Sequence, residues 1–443
     1  MTTSTTTAAE HPTSREEPIV GAPASFAIAH VRAVLDDRIV DDATVTVTDG
    51  RIAEVVPGGP PPAGAVDGHG AFLIPGVICT HSDGVEREIW PRPNTRFPVD
   101  FALRSFEGRL RAAGVTTVFH GIGFDHKPEY DRTIDQALEL GEVIRTRRQG
   151  GDAPVAHLVL HRMEARSDRG WAELGAALPA SEGLGHLPLL SFEDHSPGQG
   201  QFRDVAQYKA AFNESTLPEG RTVDEVVAER LAEAEARASL RQQNLRAVKA
   251  LARQDRVRLL AHDLEDGDQV RDAATWGTSV AEFPLSRHAA EEARRCGLQV
   301  VMGAPNVLRG GSHSGNVAAA ELVGADLCDA LASDYQPSTM LAAAFGLAAD
   351  GICSFPRAIA LVTSGPAAAA GLDDRGRLAP GLRADLALVT LDGAWPRVHH
   401  TWRAPDPLPA PTPLALSFPD HPSKESHAQH RHDLLARASP PRR

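Results

Sequence analysis

Six side chains of the types that bind metal ions stand at or just after β-rich runs of the sequence. Imidazole nitrogens and carboxylate oxygens together favour zinc, manganese or iron over calcium. The six residues are His81, Asp83, Glu164, His195, His262 and Asp334. A pair of ions held by such ligands can polarise a substrate and activate water. The sequence therefore predicts a hydrolytic site with one or two divalent metal ions.

The spacing of His81 and Asp83 supports this prediction. Side chains two positions apart on a strand point to the same face, so this pair can ligate one ion. Taken singly, the other residues have ordinary explanations, such as a helix N-cap for Asp334 or a solvated loop carboxylate for Glu164. Their joint placement at successive strand ends favours the metal site. We expect Asp194 and Asp263 to orient metal-binding histidines rather than to bind metal.

The elements that must position these residues alternate between β-rich runs and helical stretches. The runs cover residues 73–78, 115–121, 155–160, 187–192, 256–262, 278–283, 298–302 and 328–333. Eight β/α units within residues 73–365 predict a (β/α)8 TIM barrel, in which the active site lies at the carboxyl ends of the strands. One long helix is expected after Thr222, where Glu225 completes a capping box, and it should continue to about residue 254.

The flanking segments predict a second, smaller domain. Residues 24–72 alternate in the manner of strands around an Asp49-Gly50 turn, and residues 366–403 hold another β-rich stretch. We expect the two segments to pair into one small β-sandwich domain. Residues 1–23 and 404–443 lack periodicity and are rich in polar residues and proline, so both tails are predicted to be disordered.

The segment from Gly303 to Asn316 is rich in glycine and polar side chains. Its candidate substrate-binding residues are Asn306, Arg309, Ser312, His313 and Asn316. Exposed backbone N–H groups and one guanidinium could cradle phosphate oxygens, although no Gly-Lys-Ser/Thr of a Walker A motif follows. A glycine-rich barrel loop without a phosphate role remains the alternative.

Composition narrows the function classes. The 443 residues carry a formal charge of −13, which argues against a nucleic-acid or membrane-surface binder. The four cysteines form no C-x-x-C pair, which indicates reduced thiols. The sequence has neither a secretory signal pattern nor 18 consecutive apolar residues, and a cytoplasmic location is predicted. The sequence is compatible with a homo-oligomer.

Four segments resemble one known family. They are DHSPGQGQF (194–202), VAEFP (280–284), VMGAPNVLRGGSHSGNVAAAEL (301–322) and SDYQPSTMLAAAF (333–345). The chain from about residue 52 to residue 388 resembles the diphosphatase family of the carbon-phosphorus lyase pathway, a branch of the amidohydrolase superfamily. Two motifs depart from the family pattern: HSDG at 81–84 and HDLE at 262–265 stand where the family has H-T-D-N and H-D-D.

The resemblance implies a reaction and roles for the residues. The substrate would be a phosphorylated sugar, α-D-ribose 1-methylphosphonate 5-triphosphate, hydrolysed to the 5-phosphate and pyrophosphate. Glu164 would be the bridging carboxylate, Asp334 would accept the proton of the attacking water, and Arg309 would hold the polyphosphate. Two alternatives remain open from the residues: hydrolysis of a C–N bond by a deacylase, cyclic amidase or deaminase, and a catalytically silent barrel that serves as a scaffold.

Overall fold

The computed structural model describes residues 25–92, 95–125, 133–210, 217, 220–312 and 315–406. The predicted N-terminal tail, His313 and most of the predicted C-terminal tail lie outside these ranges. At the start of the latter, Ala404 is buried, and its amide donates to Asp385 Oδ1 at 2.8 Å. Ala404 therefore belongs to the folded unit.

Both ends of the chain build one mixed β-sheet, as predicted from the pattern of the flanking segments. Its strands, numbered along the chain, are β1 (Phe26–Val34), β2 (Ile39–Thr48), β3 (Arg51–Pro57), β4 (Val66–Asp67), β5 (Phe72–Pro75), β14 (Leu386–Asp392) and β15 (Trp395–Trp402). The predicted Asp49-Gly50 turn joins β2 to β3 with positive φ at both residues, 51° and 72°, the backbone that a two-residue hairpin requires. Ile28, Val45 and Leu73 belong to an apolar cluster on this sheet.

The predicted barrel is confirmed: eight parallel strands follow one another in sequence order around a sheet. They are β6 (Val77–Ser82), β7 (Val115–Phe124), β8 (Ala156–Glu164), β9 (Leu189–Glu193), β10 (Arg258–His262), β11 (Thr278–Glu282), β12 (Gln299–Gly303) and β13 (Ala330–Ala332). A bridge between Ser82 and Asp334 brings the last strand to the first at their carboxyl ends. The last residues of every barrel strand therefore lie at the same end of the barrel, which we call the mouth.

The first predicted run, residues 73–78, divides between the two sheets at Gly76. β5 pairs with β14 in the mixed sheet, whereas β6 starts the barrel beside β7. A Cβ built at Gly76 would lie 2.1 Å from Thr116 Oγ1. The chain can therefore cross from one sheet to the other at this point only because residue 76 has no side chain.

Helices cover the outside of the barrel and its mouth. They are α1 (Gly84–Ile89), α2 (Val99–Ala112), α3 (Ile134–Gln149), α4 (Asp168–Ala177), α5 (Val205–Ala210), α6 (Val223–Ala236), α7 (Ala238–Arg253), α8 (Gly267–Ala274), α9 (Arg287–Arg295), α10 (Ala304–Leu308), α11 (Ala319–Gly324), α12 (Thr339–Ala349), α13 (Phe355–Ala360) and α14 (Ser364–Ala370). Among the helices of the described ranges, none combines the length and the apolar character needed to cross a membrane.

The long helix expected after Thr222 is two helices. The capping box of Thr222 and Glu225 opens α6, but the chain bends at Arg237, where φ is −96° and ψ is 12°. No proline or glycine marks this bend in the sequence. In α7, buried Asn244 donates to the carbonyl oxygens of Ala165 (3.0 Å) and Ser167 (2.8 Å). These contacts with the loop after β8 align α7 with the barrel.

Candidate metal centre

One buried carboxylate, Glu282 at the end of β11, orients two histidines from different strands. His81 Nδ1 lies 3.0 Å from Glu282 Oε1, and His262 Nδ1 lies 2.9 Å from Oε2. Ser191 Oγ also donates to Oε2 at 2.8 Å. A carboxylate acceptor at Nδ1 fixes the tautomer of each ring, and Nε2 is then left for a metal ion.

Among the residues that the structure describes, three groups of side chains bring their donor atoms within 4.8 Å of one another. They are His81 with His262 and Glu282, His195 with His262 and Asp263, and His81 with Asp83 and Asp334. His81 and His262 each belong to two groups. Five of the six predicted ligands thus belong to these donor groups, together with Asp263, which the sequence pattern suggested only as an orienting residue.

Asp263, Phe283 and Asp334 have left-handed backbone conformations, with φ values of 56°, 54° and 53°. Each stands directly after its barrel strand or one residue beyond it, where the chain turns away. Non-glycine residues in this region are uncommon and are held there at a cost of about 1–3 kcal/mol by the surrounding structure. For Asp334, that structure includes backbone hydrogen bonds to His81 and Asp83.

The sixth predicted ligand, Glu164, lies at the end of β8 and contacts His195. Glu164 Oε1 accepts from the backbone N–H of His195 at 2.9 Å, and Oε2 lies 3.0 Å from His195 Nδ1. Glu164 is not a member of the donor groups found among the described residues. These two contacts position the backbone and the ring of His195.

Two buried residues at the mouth, Arg162 and Glu193, were missed by the sequence analysis. Arg162 Nη1 donates to Asp83 Oδ2 at 2.6 Å, and its Nε donates to Glu193 Oε1 at 2.9 Å. Glu193 also lies 3.6 Å from His195 Nδ1. Glu193 directly follows the predicted run 187–192, and Glu282 lies near the end of the predicted run 278–283. These positions were the signal that the sequence offered.

The carboxylates change the protonation of the histidines. Burial lowers the pKa of His262, but Asp263, Glu193 and Glu282 outweigh burial and raise that pKa to about 10. Burial also lowers the pKa of His81, but the charge of Glu282 and the hydrogen bond to it outweigh burial. The pKa of His81 is therefore raised. Positive charge at these rings is therefore favoured, as expected where a cation is to be accommodated.

The donor set fits divalent metal ions. Asp263 Oδ2 is buried, and no hydrogen-bond partner for it is found in the described part of the chain. Six carboxylates crowd the mouth with one buried guanidinium, that of Arg162; the six are Asp83, Glu164, Glu193, Asp263, Glu282 and Asp334. A histidine must lose its proton to bind a metal ion, and with neutral histidines five negative charges remain uncompensated. Two divalent ions would offset four of them.

The candidate phosphate loop follows β12 at the same mouth, but it begins as helix α10. Asn306 braces this loop, because its Oδ1 accepts from Ala319 N at 2.8 Å and its Nδ2 donates to Val317 O at 3.3 Å. Arg309 caps α10 and is exposed, whereas Ser312 and Asn316 are half-buried. His313 lies outside the described residues.

Asp194, expected to orient a histidine, pairs with two arginines instead. Its Oδ2 lies 3.1 Å from Arg166 Nη2 and accepts from Arg241 Nε at 3.0 Å. Arg166 Nη1 also donates to the carbonyl oxygen of Ala234 in α6 at 2.6 Å. Asp194 therefore ties the loop that carries His195 to α6 and α7.

Solved structures of amidohydrolases share this fold. The chain is similar to an amidohydrolase at a TM-score of 0.53 and 17% identity, covering 86% of this chain and 98% of that one. It is also similar to 5-methylcytosine deaminase from Klebsiella pneumoniae at a TM-score of 0.55 and 15% identity, covering 89% and 99% of the two chains. No protein-family model matches the chain. The fold is that of the amidohydrolase superfamily, a class of metal-dependent hydrolases. The histidines and carboxylates grouped at the barrel mouth fit this class.

A curated relative narrows the class. The chain is 34% identical over 382 residues to alpha-D-ribose 1-methylphosphonate 5-triphosphate diphosphatase of Escherichia coli (strain K12), covering 85% of this chain and 98% of that protein. The chain belongs to the family of this diphosphatase. The resemblance seen in the sequence motifs is thereby confirmed.

Proposed function

We propose that the protein hydrolyses alpha-D-ribose 1-methylphosphonate 5-triphosphate to the 5-phosphate and pyrophosphate in phosphonate catabolism. The observation that carries this proposal is the 34% identity to the Escherichia coli diphosphatase along nearly the whole length of that enzyme. The histidines and carboxylates at the barrel mouth are the second support, since they supply what a metal-dependent phosphate hydrolase needs. A cytoplasmic location and a homo-oligomer remain predictions.

The residues that would hold metal are those of the three donor groups, and we propose two ions from the charge balance at the mouth. His81 and His262 would contribute Nε2, because Glu282 takes their Nδ1 atoms. Bound zinc, manganese or iron ions would polarise the phosphoryl group and lower the pKa of water. Glu164 stays a candidate bridging carboxylate, although its contacts favour the positioning of His195.

Asp334 is the proposed proton acceptor. Burial raises the pKa of its carboxyl group, and the neighbouring Asp83 acts in the same direction, while His81 opposes them. A raised pKa makes the carboxylate a better base for water. In the proposed step, the water oxygen bonds to the α-phosphorus, Asp334 takes a water proton, and the bond from the α-phosphorus to the bridging oxygen breaks as pyrophosphate leaves.

The loop after β12 is the proposed site for the phosphate chain. Arg309, Ser312, His313 and Asn316 would contact the phosphate oxygens, and Asn306 would hold the loop in shape through its two backbone contacts. Arg309 is exposed at the end of α10, and a guanidinium can hold phosphate oxygens by bidentate contacts. An acidic mouth needs such local cations for a triphosphate to enter.

Phosphorus NMR tests this function directly. Metal-loaded protein is incubated with ribose 1-methylphosphonate 5-triphosphate, with ATP as a comparison substrate. Pyrophosphate together with ribose 1-methylphosphonate 5-phosphate is the expected product pair. An unchanged spectrum, from protein shown to hold metal, would contradict the proposal and turn attention to C–N bonds.

Two variants assign the role of Asp334. Asp334→Asn should lower kcat by at least about 10²-fold, because an amide cannot accept the water proton. The control is Asp326→Asn, since Asp326 is exposed and has the same left-handed backbone, with φ of 55°. Asparagine tolerates this conformation, so both variants should fold. Full activity in Asp334→Asn would overturn the assignment.

A further inference from the structure

Arg162 is a buried cation at the centre of an acidic mouth. It lies on β8, two residues before Glu164, and is 9% exposed. Its Nη1 donates to Asp83 Oδ2 at 2.6 Å, and its Nε is shared between Glu193 Oε1 and Oε2 at 2.9 and 3.1 Å. Two carboxylates from β9 and the end of β6 therefore fix the guanidinium plane.

The barrel makes room for this arrangement at Gly121 on β7. A Cβ built at Gly121 would lie 2.5 Å from Asp83 Oδ1 and 2.9 Å from Arg162 Cδ. The contact between Asp83 and Arg162 thus occupies the space that any other residue at position 121 would need. The guanidinium is held from three sides by β7, β9 and the end of β6.

The third nitrogen of this guanidinium has a different environment. Nε and Nη1 are used by Glu193 and Asp83, whereas no acceptor for Nη2 is found among the residues that the structure describes. Nη2 is not among the fully buried polar atoms that lack a partner in the described residues, so part of its surface stays accessible. A fixed guanidinium with such an accessible edge is a favourable donor to an anion. If Arg162 only neutralised Asp83 and Glu193, its Nη2 would not need to remain available to a ligand.

We propose that Arg162 is a substrate-contacting residue whose Nη2 donates to a non-bridging phosphoryl oxygen of the polyphosphate. This inference rests on the proposed function for its substrate class. It adds a buried cation, preorganised by Asp83 and Glu193, to the exposed Arg309. Because its orientation is fixed before the substrate binds, its contact with the developing phosphoryl charge requires no reorganisation.

The test is the affinity of metal-loaded protein for pyrophosphate, measured by isothermal titration calorimetry alongside metal content. Arg162→Met should bind pyrophosphate about 10- to 100-fold more weakly, the range for loss of a hydrogen bond to a charged group. Arg162→Lys should also bind weakly, since an ammonium that satisfies Asp83 and Glu193 has no second edge to offer. Metal content should stay at the wild-type level in both variants.

A rescue experiment separates contact from structural support. In Arg162→Ala, methylguanidinium at non-denaturing concentration should restore pyrophosphate affinity, whereas methylammonium should not. The control is Arg147→Met, since Arg147 is a buried arginine that bridges Glu107 and Asp152 outside the mouth. That variant should lose stability yet bind pyrophosphate within about twofold of the wild type.

Binding without turnover keeps this inference distinct from the proposed reaction. Unchanged pyrophosphate affinity in metal-replete Arg162→Met would overturn the contact, whether or not the triphosphate is hydrolysed. The proposed contact would also be overturned if both Arg162→Met and Arg162→Lys lost metal and their pyrophosphate affinity fell only to the extent that metal was lost. If wild-type protein binds pyrophosphate through Arg162 but leaves the triphosphate intact, only the proposed reaction fails.

Discussion

The backbone N–H of Asp334 donates to the carbonyl oxygen of His81 at 3.0 Å, so one hydrogen bond joins the last barrel strand to the first. The return contact, from Asp83 N to the carbonyl oxygen of Asp334, is 2.7 Å long. The same contacts that bring the barrel ends together therefore place the proposed base beside two proposed metal ligands. Barrel closure and assembly of the metal centre are one structural event.

Replacement of Glu282 should weaken metal binding. In Glu282→Gln, one end of the side chain becomes an amide, so it can no longer accept from both His81 and His262. We expect metal affinity to fall about 10- to 100-fold, the usual effect of losing a partner that orients metal ligands. Competition with a chelating dye measures this affinity without reference to activity.

The control for that variant is Glu292→Gln in α9. Glu292 is 8% exposed and is paired with Arg271 and Arg295 away from the mouth. Its replacement should change stability but leave metal affinity at the wild-type value. Equal metal affinity in Glu282→Gln and the wild type would show that Glu282 does not set the ligand geometry.

Replacement of Gly76 should destabilise the fold at the crossing between the two sheets. The new methyl group in Gly76→Ala would meet Thr116 Oγ1 at 2.1 Å and Cγ2 at 2.5 Å. Overpacking of this kind costs about 1–3 kcal/mol of unfolding free energy. Urea denaturation, followed by circular dichroism, measures the change.

Gly108→Ala in α2 supplies the matched comparison, because nothing lies within 4 Å of a Cβ built there. Alanine in a helix should raise the unfolding free energy by about 0.5–1 kcal/mol. Glycine to alanine is thus expected to lower the unfolding free energy at position 76 and to raise it at position 108. Stability unchanged by Gly76→Ala would mean that Thr116 moves aside without cost.

The buried ring of His161 should make the protein less stable in mild acid. Burial lowers its pKa to about 4, although the hydrogen bond with the carbonyl oxygen of Leu189 opposes this. The unfolded chain, with a histidine pKa of about 6.5, therefore binds more protons between pH 6.5 and 4. The contribution of His161 is present above pH 6.5 and falls by about 3 kcal/mol as the pH drops to 4.

The unfolding free energy at pH 7 and pH 5, measured for the wild type and His161→Asn, isolates this effect. Asparagine can still donate to Leu189 O but does not titrate in this range. The variant should therefore lose less stability between the two pH values, at equal metal content. Identical pH dependence in both proteins would show that His161 is not the buried group that protonates on unfolding.

The sequence by itself determined the barrel and the end of it at which most of the candidate ligands lie. Periodic apolar runs specify strands locally, and a residue that follows a strand must lie at one end of a parallel barrel, so five predicted ligands could be placed together. The capping box at Thr222 and the turn at Asp49-Gly50 were predictable for the same reason, since both depend on neighbouring residues.

Only the tertiary structure decided which side chains pair across the mouth. Glu282 contacts histidines 201 and 20 positions away, and Arg162 joins Asp83 to Glu193 over 79 and 31 positions. The division of one predicted strand at Gly76 likewise follows from its pairing with two different sheets, and the bend at Arg237 has no proline or glycine to mark it in the sequence. Such pairings depend on strand register and barrel closure, which no local pattern encodes, because each is fixed by packing over the whole chain.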